Sequence, residues 1–446
     1  MIQEELPDGF RHEIMGQMGA EEGERLLAAL DNGEPSVGIR LNPAKPCELP
    51  QWANGAERVE WSVNGLRLQS RPSFTLTPGL HQGAFYVQEP ASMVMESIIA
   101  GLVKENGGNR LNLIDLCAAP GGKTTAALSQ LPAGSLVIAN EFVADRAKVL
   151  QENLEKWGAP DVVVTNSSTD FVAGMEGWAD VVIADVPCSG EGMMRKEAVA
   201  RRQWSPALVN DCAALQRKIL SDTVPALKEN GALVYSTCTF NRTENEDNVD
   251  WLCSNHGFEV ISMRRFMPHI TDSEGLFVCV MRKRQSSGAL RLKAVTQKGV
   301  PLKDIPWLRA NFLNGSGELT GLEHNGQVGV MSRELLPVVQ WLQQKKVRIL
   351  GAGVAVAERK AKGMVPLHGI AMCPQLLCLD AVSTVELDSH AALQYLARLT
   401  PEVALPSGKG FAMFMYNGLP LGWVKNLGNR YNNLYPVNYR IRSITG

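Results

Sequence analysis

The chain lacks most of the features that would place it quickly. No uninterrupted apolar run approaches the ~18 residues needed to cross a bilayer. Met1-Ile2-Gln3-Glu4-Glu5-Leu6-Pro7 has no basic region followed by an apolar one, so neither a membrane span nor a secretory leader is expected, and the cytoplasm is the expected compartment. Nine cysteines in 446 residues, odd in number and unevenly spaced, do not read as a disulfide framework; free thiols in a reducing compartment are expected. A formal net charge of -2 excludes a wholly basic nucleic-acid coat but leaves room for local basic faces. There is no internal repeat and no low-complexity tract, and 45% hydrophobic with 20% charged residues is the composition of a globular protein of about three units.

Familiar nucleotide and metal signatures are missing too. Gly122-Lys123-Thr124 ends like a phosphate loop, but that motif needs a glycine five residues before Gly122, where Cys117 stands. No Gly-x-Gly-x-x-Gly is present. Cys373 and Cys378 have no second pair of thiols near them, so no metal site is expected, and Cys47, Cys212, Cys253 and Cys279 read as packing residues.

What is present changes character along the chain. Residues 1–92 open with Phe10, Ile14, Met18, Leu26, Leu27 and Leu30 at helical spacing and continue in short extended pieces. Among these, Trp61-Ser62-Val63 and Leu66-Arg67-Leu68 around Asn64-Gly65 predict a hairpin, which makes this segment a small α+β unit. From 93 to 284, apolar strands at 111–116, 135–139, 162–165, 181–184, 232–235, 258–261 and 276–281 alternate with helices at 123–131, 143–157, 206–227 and 244–254. Strands apolar throughout and separated by helices predict an α/β, doubly wound, mostly parallel sheet buried on both faces.

Residues 285–300 read as a linker and 301–446 as a C-terminal region without a catalytic motif. Two basic stretches invite either a solvated face or a phosphate-tracking one, with RNA favoured. The first holds Arg282, Lys283, Arg284, Arg291, Lys293, Lys298, Lys303 and Arg309; the second holds Lys345, Lys346, Arg348, Arg359, Lys360 and Lys362. Phe411-Ala412-Met413-Phe414-Met415 and Leu421-Gly422-Trp423-Val424 around Asn417-Gly418 predict another hairpin. Lys425, Arg430, Arg440 and Arg442 interleave with Tyr431, Tyr435 and Tyr439, as in a reader of unpaired RNA or in a plain β-barrel whose tyrosines are exposed.

Chemistry concentrates at three strand ends. Leu116-Cys117-Ala118-Ala119-Pro120-Gly121-Gly122-Lys123-Thr124 is a strand, a glycine turn and a helix start, suited to close backbone approach by a nucleoside-type cofactor. Glu141 ends the next strand, where an acid in a doubly wound fold accepts ribose hydroxyls; the alternative is a plain helix N-terminal charge. Asp185-Val186-Pro187-Cys188-Ser189-Gly190-Glu191-Gly192 and Ser236-Thr237-Cys238-Thr239 place two thiols after two strands that neighbouring positions would bring to one sheet edge.

Those three stretches, in that order and spacing, resemble the signatures of the Nol/Nop/Sun-type RNA cytosine-C5 methyltransferases. Phe10 to Lys45, ending Arg40-Leu41-Asn42-Pro43-Ala44-Lys45, and Gly83-Ala84-Phe85-Tyr86-Val87-Gln88-Glu89-Pro90-Ala91-Ser92 resemble the family's N-terminal RNA-binding extension. Leu421-Gly422-Trp423-Val424-Lys425-Asn426 and Asn433-Leu434-Tyr435-Pro436 are similar to the PUA-like end of its bacterial RsmF-like branch, which modifies small-subunit ribosomal RNA.

The resemblance implies a Rossmann-like methyltransferase core between an α+β N-terminal extension and an α+β C-terminal PUA-like region. The implied cofactor is S-adenosyl-L-methionine, held by Cys117, Ala118, Ala119, Pro120, Gly121, Gly122, Lys123, Glu141 and Asp185. Cys238 is implied as the nucleophile that adds to cytosine C6, Asp185 as the group on the base edge, Lys123 as its orienting partner and Cys188 as the residue of the release step. Glu191, Arg195 and Lys196 are implied near RNA, the last two on phosphates. The family's usual adenine-contacting aspartate is replaced by Ser168, so either Asp170 reaches in or a serine or backbone contact substitutes. Partners implied are ribosomal RNA, with transfer RNA the alternative; a monomer and no membrane are expected. The rival readings are an exocyclic-amine methyltransferase, which needs a polar-Pro-Pro-aromatic loop that Asp185-Val186-Pro187-Cys188 does not supply, and a non-catalytic RNA-binding assembly factor.

Overall fold

The computed structural model describes residues 4–285, 288–292, 300–309, 318–324 and 326–444. The helical opening is two helices, Asp8–Met18 and Ala20–Asn32, because Gly19 sits between them at φ 79°. Beyond them β1 (Gly38–Leu41), β2 (Glu57–Arg58), β3 (Gly65–Arg67) and β4 (Phe85–Val87) form a small sheet in the order β2-β3-β1-β4. The expected hairpin is there, but its first strand is Glu57–Arg58 rather than 61–63. Ser62 instead turns its hydroxyl onto buried Glu96, and Trp61 packs on Phe266 with centroids 4.7 Å apart.

The centre of the molecule is an eight-stranded sheet. Its chain order is β5 (Asn112–Asp115), β6 (Leu136–Asn140), β7 (Val162–Thr165), β8 (Ala179–Asp185), β9 (Leu227–Thr237), β10 (Phe258–Phe266) and β11 (Leu276–Lys283), followed after β12 (Leu319–His324) and β13 (Gln327–Ser332) by β14 (Ile349–Ala352). The spatial order is β10-β11-β9-β8-β5-β6-β7-β14. β5 to β9 run parallel, while β10, β11 and β14 are antiparallel additions at the edges.

Alternate residues feed two cores, as strands buried on both faces must. Ile114, Ile138, Val163 and Val182 pack under the helices Pro206–Thr223, Glu246–His256 and Leu336–Gln344. Leu113, Val137, Val164, Val181 and Ile183 pack under Met95–Glu105, Gly122–Leu128 and Ala144–Trp157. Thus one strand and one covering helix of the central layer come from beyond residue 301.

β12 and β13 join β15 (Val354–Lys360) and β16 (Gly363–Pro366) in a third sheet. β17 (Ser383–Glu386), β18 (Gly410–Tyr416), β19 (Leu419–Asn426) and β20 (Tyr431–Asn433) form a fourth, with the β18–β19 hairpin turning at Asn417-Gly418 as expected. The peripheral units are tied inward. Fully buried Arg40 of β1 donates to Gln88 Oε1 (2.8 Å), Thr125 Oγ1 (2.5 Å), Ser129 Oγ (3.0 Å) and the carbonyls of Gly122 and Thr125. Asn42 reaches the Trp157 carbonyl (3.1 Å), and Lys45 reaches those of Gln82 and Lys156, its pKa lowered by burial to about 7. The polar residues of this motif therefore bolt the extension to the core and do not face outward. Gln82 in turn donates to the carbonyls of Tyr416 and Leu419 in the fourth sheet. No helix among the described residues is long and apolar enough to cross a membrane.

Candidate active site

Strand order reverses between β5 and β8, and in an open α/β sheet ligands bind outside the carboxyl ends of the strands at such a switch point. The sequence-expected residues converge there. After β5 the chain turns through Cys117 to Gly121, where φ is 111°, and enters the helix at Gly122. The turn is held by Ala118 N–H on the Asn140 carbonyl (2.8 Å), by Arg146 on the Ala119 carbonyl (2.8 Å) and by Asn153 on the Pro120 carbonyl (2.8 Å). Beneath it, fully buried Asp115 accepts from Thr124 Oγ1 at 2.6 Å, and burial raises its pKa to about 7. Burial, then the carboxylates of Asp115, Asp185 and Glu141, push the Cys117 thiol far up, so it stays neutral.

Glu141 ends β6 with one oxygen accepting from Val143 N–H (2.9 Å). Its other oxygen lies 3.6 Å from Arg146 and has no hydrogen-bond partner. The next residue, Phe142, is 70% exposed, an aromatic wall beside an acid that the sequence reading passed over. Ser168 donates to Asp170 rather than pointing into the crevice alone, so the pair acts as a unit at the end of β7.

Across the switch point, the register pairs Asp185 with Ser236, and Ser236 Oγ donates to Asp185 Oδ1 at 2.7 Å. Lys123 Nζ meets Asp185 Oδ2 at 2.8 Å; burial works against its charge, but Asp185 outweighs this and raises the lysine pKa. Three residues past Asp185 and two past Ser236, Cys188 Sγ and Cys238 Sγ lie 3.2 Å apart. Its hydrogen bond with Cys238 and burial hold the Cys188 thiol well above the usual thiol pKa, and either sulfur can be the donor across the contact. Among the described residues no group of three or more metal-binding side chains occurs.

Several expected contacts are absent. Glu191 is not at an RNA surface: 1% exposed, it accepts from Trp204 Nε1 (3.0 Å) and from the backbone N–H groups of Phe240 (2.6 Å) and Asn241 (3.0 Å). Arg195 is buried in a two-point ion pair with Glu274 (3.0 and 2.8 Å) and is not free for phosphate, whereas Lys196, 3.5 Å from the same carboxylate, is exposed. In the first basic stretch Arg282 pairs with Glu105, Arg284 with Glu259 (2.7 Å), and Lys283 is buried on the Val224 and Leu227 carbonyls. Arg291, Lys303 and Arg309 are exposed, while Lys293 and Lys298 lie outside the described residues. In the second, Arg359 pairs with Glu323, Lys360 with Glu358, and Arg348 donates to Asn166 Oδ1 (3.0 Å), while Lys345, Lys346 and Lys362 are exposed. The C-terminal tyrosines are core, not a stacking platform: Tyr435 is 0% exposed, Tyr431 donates to the Pro401 carbonyl (2.9 Å) and Tyr439 to Glu155 (3.2 Å).

A parallel sheet that reverses order at β5 and β8, with its polar groups gathered outside that reversal, is the architecture of a Rossmann-like methyltransferase. Family sequence models agree along the chain: 16S rRNA methyltransferase RsmB/F matches residues 102–282, the N-terminal domain of 16S rRNA methyltransferase RsmF matches 6–90, and the methyltransferase RsmF PUA domain matches 382–441. Ribosomal RNA small subunit methyltransferase F of Escherichia coli O139:H28 is 31% identical over 379 residues, 79% of this chain and 78% of that protein. Its counterpart in Shewanella loihica is 30% identical over 409 residues, 85% and 83%. Among solved structures, NSun6 from Pyrococcus horikoshii with SFG has a TM-score of 0.53 at 18% identity, covering 64% of this chain and 100% of that one. A methyltransferase homolog from the same organism has 0.54 at 24%, covering 62% and 95%; both share the fold. The chain belongs to the ribosomal RNA small subunit methyltransferase F family, and its cofactor is S-adenosylmethionine.

The crevice fits that cofactor. A buried carboxylate oxygen of Glu141 without a hydrogen-bond partner suits a ribose hydroxyl, and the exposed Phe142 ring suits a base. Asp115 Oδ1, likewise buried and unpartnered, lies under the glycine turn.

Proposed function

We propose that this protein transfers a methyl group to C5 of a cytidine in small-subunit ribosomal RNA through a covalent adduct between Cys238 and C6. The observation that carries the reading is the 3.2 Å contact of two thiols at the ends of adjacent strands, beside a carboxylate held by a lysine. The family's name supplies the ribosomal substrate. Action as a monomer in the cytoplasm, with residues 1–92 and 301–446 serving RNA binding around a 93–284 catalytic unit that β14 and the helix Leu336–Gln344 complete, rounds out the proposal.

S-adenosylmethionine supplies an electrophilic methyl on a sulfonium. Cytosine C5 is too poor a nucleophile to take it unaided. The Cys238 sulfur adds to C6, and the electrons of the C5–C6 bond become available at C5. Asp185 engages the N3 and N4 edge, and charge building at N3 is met by a proton that Lys123, 2.8 Å away, delivers through the carboxylate. Ser236 fixes the other carboxylate oxygen, so that only one rotamer serves. After transfer the C5 proton passes to water, N3 returns its proton through Asp185 to Lys123, the C5–C6 double bond reforms and Cys238 leaves as a thiolate that accepts a hydrogen bond from the Cys188 S–H. Cys117, Ala118, Ala119, Pro120, Gly121, Gly122, Lys123, Glu141 and Asp185 are the proposed cofactor contacts, with the Ser168–Asp170 pair at the adenine end.

With tritiated methyl donor and small-subunit ribosomal RNA, Cys238→Ala should lose all incorporation. Cys188→Ala should accumulate a protein–RNA adduct that survives denaturation. Normal turnover by Cys188→Ala, or an adduct without Cys238, would show the roles to be misassigned. Bisulfite sequencing of host RNA with and without the protein reads the base and the RNA together; a site in transfer RNA, or none, would overturn the substrate.

A further inference from the structure

The two cysteine loops hold each other through a pair of buried carboxylates that no step above uses. Glu191, three residues after Cys188, accepts the backbone N–H groups of Phe240 (2.6 Å) and Asn241 (3.0 Å), just past Cys238. Glu244, six residues after Cys238, accepts the N–H of Ser189 (3.0 Å), just past Cys188. Each loop thus contributes the acid that grips the other loop's backbone next to its sulfur. One side chain joins the halves: Asn241 Nδ2 lies 3.0 Å from Glu191 Oε1 and 2.8 Å from Glu244 Oε1, and its Oδ1 accepts Glu244 N–H (2.9 Å), which fixes the amide's orientation. Gln216 Nε2 adds a bond to Glu244 (2.7 Å) and another to the Pro187 carbonyl (2.9 Å). Between the loops, Gly192 N–H donates to the Cys238 carbonyl (2.8 Å). A Cβ at Gly192 would lie 2.9 Å from that oxygen, so only glycine permits the approach.

We propose that Glu191 and Glu244, bridged by Asn241, are positioning residues that keep the two sulfurs in register, so that product release stays coupled to attack. The proposal rests on the roles given above to Cys238 and Cys188. Addition to C6 needs Cys238 alone, whereas expulsion needs Cys188 within hydrogen-bond reach of the breaking C–S bond. A loosened brace therefore injures release more than attack. Carboxylates suit the task because a hydrogen bond to a charged acceptor is about twice as strong as a neutral one, and four donors converge on Glu191 alone.

The test is Glu244→Gln in the full chain, assayed with small-subunit ribosomal RNA. The glutamine oxygen can still accept Ser189 N–H and Gln216, but its amide then faces Asn241 Nδ2, donor against donor, and the bridge between the loops opens. Asn241→Ala removes the bridge without adding a donor and serves if the first variant does not fold. Expected are a folded protein with a lowered thermal midpoint, an S-adenosylmethionine Kd close to wild type and a kcat/KM for RNA within about twofold, KM falling with kcat because slow breakdown of a covalent intermediate lowers both. Against these, kcat should fall roughly ten- to a hundredfold, with a denaturation-resistant adduct accumulating as it does in Cys188→Ala. Wild-type kcat in both variants overturns the brace, as does a kcat loss without adduct while Cys188→Ala accumulates one on the same RNA. If Cys188→Ala accumulates none either, the reading of the cysteines falls and takes the brace with it.

Discussion

Arg40→Met keeps the aliphatic stem and deletes a guanidinium that is fully buried between β1 and the helix Gly122–Leu128. The side chain makes five donor contacts of 2.5–3.3 Å, lies 3.9 Å from Glu96 and stacks 4.6 Å over Trp157. Removing one partner of a buried polar cluster costs about 3–5 kcal/mol. The lower end applies here. Burial pushes the Arg40 pKa down to about 10, so its charge is not fully compensated, and Glu96 keeps Ser62 and Asn64 as donors. A loss of about 3 kcal/mol is thus expected in urea titration. S-adenosylmethionine should bind several-fold more weakly by calorimetry, because the acceptors released, the Gly122 carbonyl and Thr125, belong to the cofactor turn and its helix. The salt dependence of RNA binding should not change. A cation that met phosphate would instead lower the log–log salt slope by about 0.7–0.9 when removed. Unchanged stability together with a shallower slope would refute the internal role and restore this motif to the RNA surface.

Other expectations follow from the same geometry. Asp115 has a folded pKa near 7, above its unfolded value, so the native state binds the extra proton between about pH 4 and 7 and stability falls as pH rises through that window. Asp115→Asn should flatten that pH dependence, by at most about 4 kcal/mol, and a pH–urea series showing the same slope in both proteins would remove the argument. Phe142→Ala should weaken S-adenosylmethionine by roughly tenfold if its exposed ring flanks the base, while leaving the melting temperature alone; equal affinities would exclude the contact. Truncation after Gln285 should give an aggregating product rather than a soluble enzyme with weaker RNA affinity, since β7 loses β14 and the first core loses the helix Leu336–Gln344. A monodisperse, cofactor-binding fragment would contradict this.

The central strands were legible because Val181-Val182-Ile183-Ala184 and its fellows are apolar on both faces, and the proximity of Cys188 and Cys238 followed from placing their strands side by side. Burial of charge was not legible. Glu191 and Arg195 sit in a polar, glycine-bearing loop that reads as solvated, and what buries them, Trp204, Phe240 and Glu274, arrives from 13 to 79 residues further on. Arg40 misled in the same way, since a cation in a motif shared with RNA enzymes looks outward until its acceptors are located. The tyrosines of the tail were ambiguous because ring spacing in a short β region is the same for a core and for a stacking surface. β14 was invisible: Ile349-Leu350-Gly351-Ala352 is too short to show a period, and its partner lies in a different part of the chain.

That last strand gives the molecule a timetable. β7 ends at Thr165 and its edge partner starts at Ile349, so on a ribosome adding about 5–20 residues per second the catalytic sheet waits on the order of ten to forty seconds with one side open. The proposed cofactor contacts are all synthesised before the sheet that carries them can close. A catalytic sheet built in this way closes only after most of the chain's translation is complete, and the nascent chain's open edge is where a chaperone would have most to protect.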